Sequence, residues 1–157
     1  MLPDGLRTEL AAVPGLRLMT QPEDLERYSR DAYDYSPVLQ KRLAQCRAEL
    51  VVRPETVEAV VRVAAACRQH RVPLTLRGSG TGNYGQSVPL EAGVVMVMSQ
   101  LRAVRSIDPA SGVVMVECGC LLKDLNRELS GQRRQVRLMP STWRSATVGG
   151  FIAGGSG

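Results

Sequence analysis

Val72-Pro73-Leu74-Thr75-Leu76-Arg77-Gly78-Ser79-Gly80-Thr81-Gly82-Asn83-Tyr84-Gly85-Gln86 is the stretch on which the fold turns. Val72 to Leu76 is a short apolar run and a strand candidate, and it passes directly into a segment dense in glycine. Glycines at alternate positions remove the side chains that would hold a ligand off. They also permit the backbone angles that turn successive N–H groups inward, forming a cradle for phosphate oxygens. Taken alone, such a loop is equally compatible with a flexible turn. It is not a Walker loop, because no Gly-Lys-Ser/Thr follows, and it is not the dinucleotide fingerprint, because no amphipathic helix begins there.

Upstream, Glu49-Leu50-Val51-Val52 is an apolar run closed by Arg53-Pro54, which suits a buried strand ending at a residue with no N–H for the ladder. Thr56 can cap a helix whose apolar face is predicted at Val57, Val60, Val61, Ala64 and Cys67, with Glu58, Arg62, Arg68 and Gln69 toward water. Strand, helix and strand in this order predict a right-handed parallel crossover. Downstream, residues 93–99 (GVVMVMS) fit a strand buried on both faces. Residues 104–108 and 113–118, separated by Pro109-Ala110-Ser111-Gly112, predict an antiparallel hairpin with a loop longer than two residues. Leu121, Leu122, Leu125 and Leu129 mark a second amphipathic helix, which Gly131 is expected to end at positive φ. Residues 1–48 form a helical lead-in, interrupted by a loop at residues 31–37. The fold class is therefore α+β: a small parallel βαβ portion leading into a larger, mainly antiparallel portion. A doubly wound fold is disfavoured, because the glycine-rich segments are far apart in sequence rather than in one βα turn.

Composition bounds the function. The 157 residues are 44% hydrophobic and 22% charged, which suits one globular domain with a sizeable core. No run approaches the roughly 20 apolar residues of a membrane helix, and Met1-Leu2-Pro3-Asp4-Gly5 does not open a secretory signal, so a cytoplasmic location is expected. The net charge of +5 is scattered apart from short groups such as Arg133, Arg134 and Arg137, which argues against nucleic acid as a partner. Cys46, Cys67, Cys118 and Cys120 include no C-x-x-C pair, and the one histidine, His70, is far from them in sequence, so no metal site is expected. Cys118 and Cys120 alternate on one face of a strand-like run, either as a redox pair or as buried packing. His70 reads as a helix-end surface residue.

The second glycine-rich segment, residues 139–157, also carries hydroxyls and Trp143. Two such loops, separated by a hairpin and a helix, could clasp one extended ligand with backbone amides and Ser/Thr hydroxyls. Trp143 either packs beside its loop or stacks on the ligand. In order, Arg53-Pro54, the run Pro73 to Gly82, Met98-Ser99, Ile107-Asp108-Pro109, Val116-Glu117-Cys118-Gly119, Pro140-Ser141 and Ala146-Thr147-Val148-Gly149-Gly150 resemble the PCMH-type FAD-binding domain of the vanillyl-alcohol oxidase and para-cresol methylhydroxylase family. Within it, the pattern is most similar to FAD-linked oxidases of the D-lactate dehydrogenase and glycolate oxidase D-subunit type. The resemblance covers residues 49–157, taken as the FAD-binding domain.

The resemblance implies that Gly78, Ser79, Gly80, Thr81, Gly82 and Asn83 wrap the FAD pyrophosphate, with Arg77 beside them as a strand-end charge. It implies that Pro140, Ser141 and Thr142 lie along the flavin and that Ala146, Thr147, Gly149 and Gly150 complete the site. Some relatives attach flavin through a histidine in or near the first loop; none stands there in this chain, so noncovalent FAD is expected. The implied function is oxidation of a small 2-hydroxy acid or alcohol, with hydride passed to FAD and an external electron acceptor. The catalytic base is unassigned. Alternatives are an FAD- or nucleotide-binding module without turnover, and a flavoprotein similar to UDP-sugar enolpyruvyl reductases. The family pattern further implies that Gly154-Gly155-Ser156-Gly157 lies within the FAD domain, leaving it truncated at its C-terminus and without a substrate or cap domain.

Overall fold

Leu50–Pro54 (β2) and Val94–Val97 (β4) are apolar at almost every position, and each is covered on both faces, as buried parallel strands require. The computed structural model describes residues 1–155, and Ser156 and Gly157, with the reading placed on them, lie outside the described residues. β2 and β4 are the inner strands of a four-stranded sheet completed by Leu16–Met19 (β1) and Leu74–Arg77 (β3), in the order β1-β2-β4-β3. β2, β4 and β3 are mutually parallel, and β1 is antiparallel at the edge. The crossover from β2 through helix α4 (Val57–Gln69) to β3 therefore leaves a gap, which β4 fills.

Alternation along the strands sorts the core into two layers. Leu50, Val52, Val94 and Met96 face α4 and the N-terminal helix α1 (Asp4–Ala11), packing with Leu6, Leu10, Val63 and Ala66. Val51, Val95 and Val97 face the other way, against Met19 and the side of helix α2 (Pro22–Tyr28), where Leu25 and Tyr28 cover them. A third cluster joins the antiparallel hairpin Val104–Ile107 (β5) and Val114–Val116 (β6) to helix α5 (Leu122–Ser130) through Leu122, Leu125 and Leu129. Pro37–Leu43 is helix α3, and Val148–Ala153 is helix α6.

The mixed α+β class is thus present, with parallel and antiparallel pairing in one chain. Among the described residues the parallel sheet is the larger portion, and the antiparallel part consists of β5–β6 and the edge strand β1. Four details differ from the sequence expectations. The lead-in is not only helical: Leu16–Met19 extends the sheet, and Leu2, Leu6 and Leu10 enter the main core. On α4 the buried face is Ala59, Val63, Ala66 and Cys67, whereas Val57 and Val61 are exposed. The small residues Ala59 and Ala66 let the helix lie close on the sheet, which outweighs the larger valines on the outer side. Gly131 stays at φ −59, and the positive φ falls two residues later at Arg133 (φ 55), because the last turn of α5 continues through Gln132 N–H to Leu129 C=O (2.9 Å) before the chain turns. Finally, Val148–Ala153 is a helix rather than a loop, with the Thr147 hydroxyl accepting from Gly150 N–H (3.2 Å) as its cap.

Candidate functional site

The C-terminal ends of parallel strands are where open mixed sheets present ligands, and the glycine-rich loop emerges there from β3. The N–H groups of Ser79, Gly80, Thr81, Gly82 and Asn83 donate to no acceptor among the described residues, so five consecutive donors are left for a ligand or water. Glycine is required by the packing as well as by the cradle. Gly80 has φ +68, and a Cβ there would overlap the Arg77 guanidinium; a Cβ at Gly78 would overlap the Thr147 hydroxyl.

Arg77 lies behind this loop rather than in front of it. It is 5% exposed, its Nη1 donates to Ser87 Oγ (3.0 Å), and its guanidinium carbon is 5.9 Å from the centre of the Tyr28 ring. Burial pushes its pKa down, and the Asp31 carboxylate acts in the opposite direction. Asp31 accepts from Gly85 N–H (2.9 Å) and from the Ser87 hydroxyl (2.7 Å), while Ala32 N–H donates to Gly80 C=O (2.7 Å).

The second segment faces the first but is built differently. Trp143 N–H donates to Pro140 C=O (3.0 Å) and Ala146 N–H to Thr142 C=O (2.9 Å), making a turn. Val148 and Gly149 N–H groups donate to Cys120 and Cys118 C=O (2.8 and 2.9 Å), fastening the start of α6 to the chain leaving β6. Gly149 sits so close that a Cβ would come within 2.6 Å of Cys118 Cβ. Burial pushes the Cys118 and Cys120 thiols up, and both are free; Cys120 is buried in the α5 cluster, whereas Cys118 is half-buried. Trp143 packs against the α5 cluster, with Arg144 over its ring at 4.8 Å. His70 ends α4 and pairs with Glu9 of α1 (2.9 Å).

Between the two segments lies a cleft of about 300 Å³. Of the residues expected at a site, Gly78, Ser79, Gly80, Thr81, Gly82, Pro140, Thr142, Ala146, Thr147 and Gly150 line it together. Arg77 and Gly149 support its walls from behind, and the Asn83 and Ser141 side chains are exposed outside the lining. Sequence reasoning missed Asp31, Gln86, Ser87, Phe151 and Ala153, which also line the cleft. Gln86 and Ser87 simply continue the first loop and were within reach of the motif. Asp31 carries no local signal, since its partners lie 54 and 56 residues away.

Two larger cavities lie elsewhere, one of about 470 Å³ between β5 and α5 and one of about 380 Å³ over residues 29–44. Volume does not choose between them and the cleft; donors do, because among these three only the cleft gathers free backbone N–H groups, three threonine hydroxyls and an apolar wall of Ala146, Phe151 and Ala153. Such a combination suits a ligand with a polyanionic middle and a flat apolar end. Among the described residues, no group of three or more His, Cys, Asp or Glu is placed to hold a metal, and no helix is long and apolar enough to cross a membrane.

A glycine cradle at the ends of parallel strands, faced across a cleft by a hydroxyl-bearing turn, defines a module that binds a nucleotide cofactor. The chain belongs to the FAD binding domain family, whose profile matches residues 48–157, and FAD is the cofactor of that family. It is 30% identical over 164 aligned positions to a glycolate oxidase subunit of Escherichia coli strain K12, covering 99% of this chain and 31% of that protein. It is 29% identical to a D-lactate dehydrogenase of Anaerostipes hadrus, covering 72% of this chain and 24% of the relative. The fold superposes on that of p-cresol methylhydroxylase, solved with substrate bound, with a TM-score of 0.76 at 18% identity, covering 96% of this chain and 30% of that one. The chain thus spans about a third or less of the length of the relatives it matches.

Proposed function

We propose that this chain is the FAD-holding part of a dehydrogenase or oxidase acting on a small 2-hydroxy acid, with FAD held noncovalently. The observation that carries the reading is the run of uncommitted N–H groups from Ser79 to Gly82, all residues that line a cleft with an apolar far wall. Gly78 to Gly82 and the Asn83 backbone would hold the pyrophosphate, since backbone donors in a glycine-rich turn suit phosphate oxygens. Thr142 and Thr147 would offer hydroxyls to the flavin side, and Pro140, Ala146, Gly150 and Phe151 would shape the wall. Ser141 and Gly149 would hold that wall in place rather than touch the cofactor. No histidine, cysteine or tyrosine stands in the cleft lining, which supports noncovalent attachment.

Bound FAD supplies the two-electron chemistry, and the chain supplies its position and its electrostatic surroundings. The 2-hydroxy acid class comes from the relatives, glycolate oxidase subunit and D-lactate dehydrogenase by name, and an external electron acceptor is part of the proposal. Four free cysteines support a reducing, cytoplasmic setting.

The test is purification of the protein in its full reading frame, followed by flavin spectroscopy before and after heat denaturation. A yellow protein that releases free FAD on denaturation, and that reduces a dye with D-lactate or glycolate, is the expected result. Colourless protein that takes up no added FAD would sink the cofactor assignment. Flavin that stays attached to the denatured chain would sink the noncovalent part.

A further inference from the structure

A glycine-rich loop has a cost: its conformational freedom must be lost when it closes on a ligand, and affinity depends on how much is lost beforehand. Here the loop is not held by its own backbone, since the N–H groups of residues 79–83 donate to no acceptor among the described residues. What holds it comes from outside. Both carboxylate oxygens of Asp31 are engaged by the loop, Oδ2 by Gly85 N–H at 2.9 Å and Oδ1 by the Ser87 hydroxyl at 2.7 Å. The neighbouring Ala32 N–H grips Gly80 C=O at 2.7 Å, and Arg77 completes the chain through Ser87 Oγ.

Asp31 is itself anchored. Its N–H donates to the Tyr35 hydroxyl at 2.6 Å, and two residues earlier the buried Ser29 hydroxyl donates to Leu25 C=O (2.6 Å) and accepts Ala48 N–H (2.8 Å). The segment is thereby pinned to α2 and to the entry of β2. A carboxylate on the wall of a site for an anion is electrostatically unfavourable. Two loop donors aimed at its two oxygens, with the buried Arg77 charge behind, offset that repulsion.

We infer that Asp31 is a positioning residue for the cofactor cradle: it sets the shape of the loop from Gly78 to Ser87 without touching the cofactor's reacting atoms. The inference rests on the FAD reading above. It carries an unusual sign. If Asp31 were only a nearby negative charge, removing it would tighten the binding of a pyrophosphate; as a positioning residue, its removal weakens binding.

The measurement is the FAD dissociation constant and off-rate of the full-length protein for wild type, Asp31→Ala, Asp31→Asn and Ser87→Ala, paired with amide hydrogen exchange on the flavin-free forms. Asp31→Ala is expected to raise the dissociation constant by about tenfold to a hundredfold. Asp31→Asn keeps an acceptor oxygen and recovers part of the loss, and Ser87→Ala, which leaves the Gly85 tie, has a smaller effect. Exchange should quicken at the Gly85 amide, which loses its acceptor in Asp31→Ala, and at the Ala32 amide that grips Gly80, while β2 and β4 keep their protection. Equal or tighter binding by Asp31→Ala overturns the inference, and so does faster exchange spread through β2 and β4. Wild-type protein that holds no FAD overturns the functional reading instead, and the exchange comparison still decides whether Asp31 shapes the loop.

Discussion

The two walls of the cleft both use glycine, but by opposite physics. The first, residues 78–87, leaves the backbone donors of residues 79–83 free and is shaped by Asp31 and Arg77 behind it, both bonded to its Ser87 hydroxyl. The second, residues 140–154, uses its N–H groups in a turn, a helix and two bonds to the Cys118 and Cys120 carbonyls, and offers hydroxyls and apolar surface. One wall is a cradle that needs an external frame; the other is a frame. Glycine serves ligand access in the first and close packing in the second.

Substitution at Gly80 is the severest way to break this contrast. Gly80→Val places a β-branched residue at φ +68 and drives its side chain into Arg77, displacing the loop. FAD affinity should fall by more than about a hundredfold, while the sheet loses only the roughly 1–2 kcal/mol of a left-handed backbone penalty. Fluorescence titration and urea unfolding on the same sample check both parts. Equal losses in the two would show that the loop and the core are one unit.

Gly149→Val should show the reverse pattern. Its side chain meets Cys118 Cβ and the Cys118 carbonyl with little room to relax, so stability should drop by about 1–3 kcal/mol through overpacking. The urea midpoint should move before FAD affinity does. If affinity falls while the midpoint stays, Gly149 belongs to the ligand surface and not to the frame.

A milder probe is Thr147→Ala, which deletes the cap of α6 and should cost about 1 kcal/mol, with Thr147→Ser restoring most of it. Calorimetric Tm values for the pair give the answer. Identical values for all three would mean the cap contributes nothing. Smallest of all is Asn83→Ala: the side chain is exposed and the backbone N–H remains, so FAD affinity should change by less than about twofold. A tenfold loss would move Asn83 from a backbone role to a side-chain one.

Much of the sheet was legible because buried parallel strands are apolar throughout. Leu50–Pro54 and Val94–Val97 could be read from composition alone, and the turn at Pro109–Gly112 announced the hairpin. Helix α4 was legible as a helix but not as a face, since alanines and valines occur around most of its circumference and leave its rotation open. β1 escaped because four residues, three of them exposed or partly so, carry little periodicity. Gly131 misled because a glycine permits positive φ without requiring it.

What the amino-acid sequence determined by itself was the order of strands and helices from β2 to α5, the cradle from Gly78 to Gly82 and, by resemblance, the FAD family, because these depend on local residue type and spacing. What only the tertiary structure decided was the insertion of β4 between β2 and β3, the placement of Arg77 behind the loop and the tie from Asp31 to Gly85 and Ser87. The physical reason is separation: contacts between distant segments, 54 and 56 positions apart for the Asp31 ties, leave no periodic trace in the chain, and they form only when the sheet has brought both partners to the same edge.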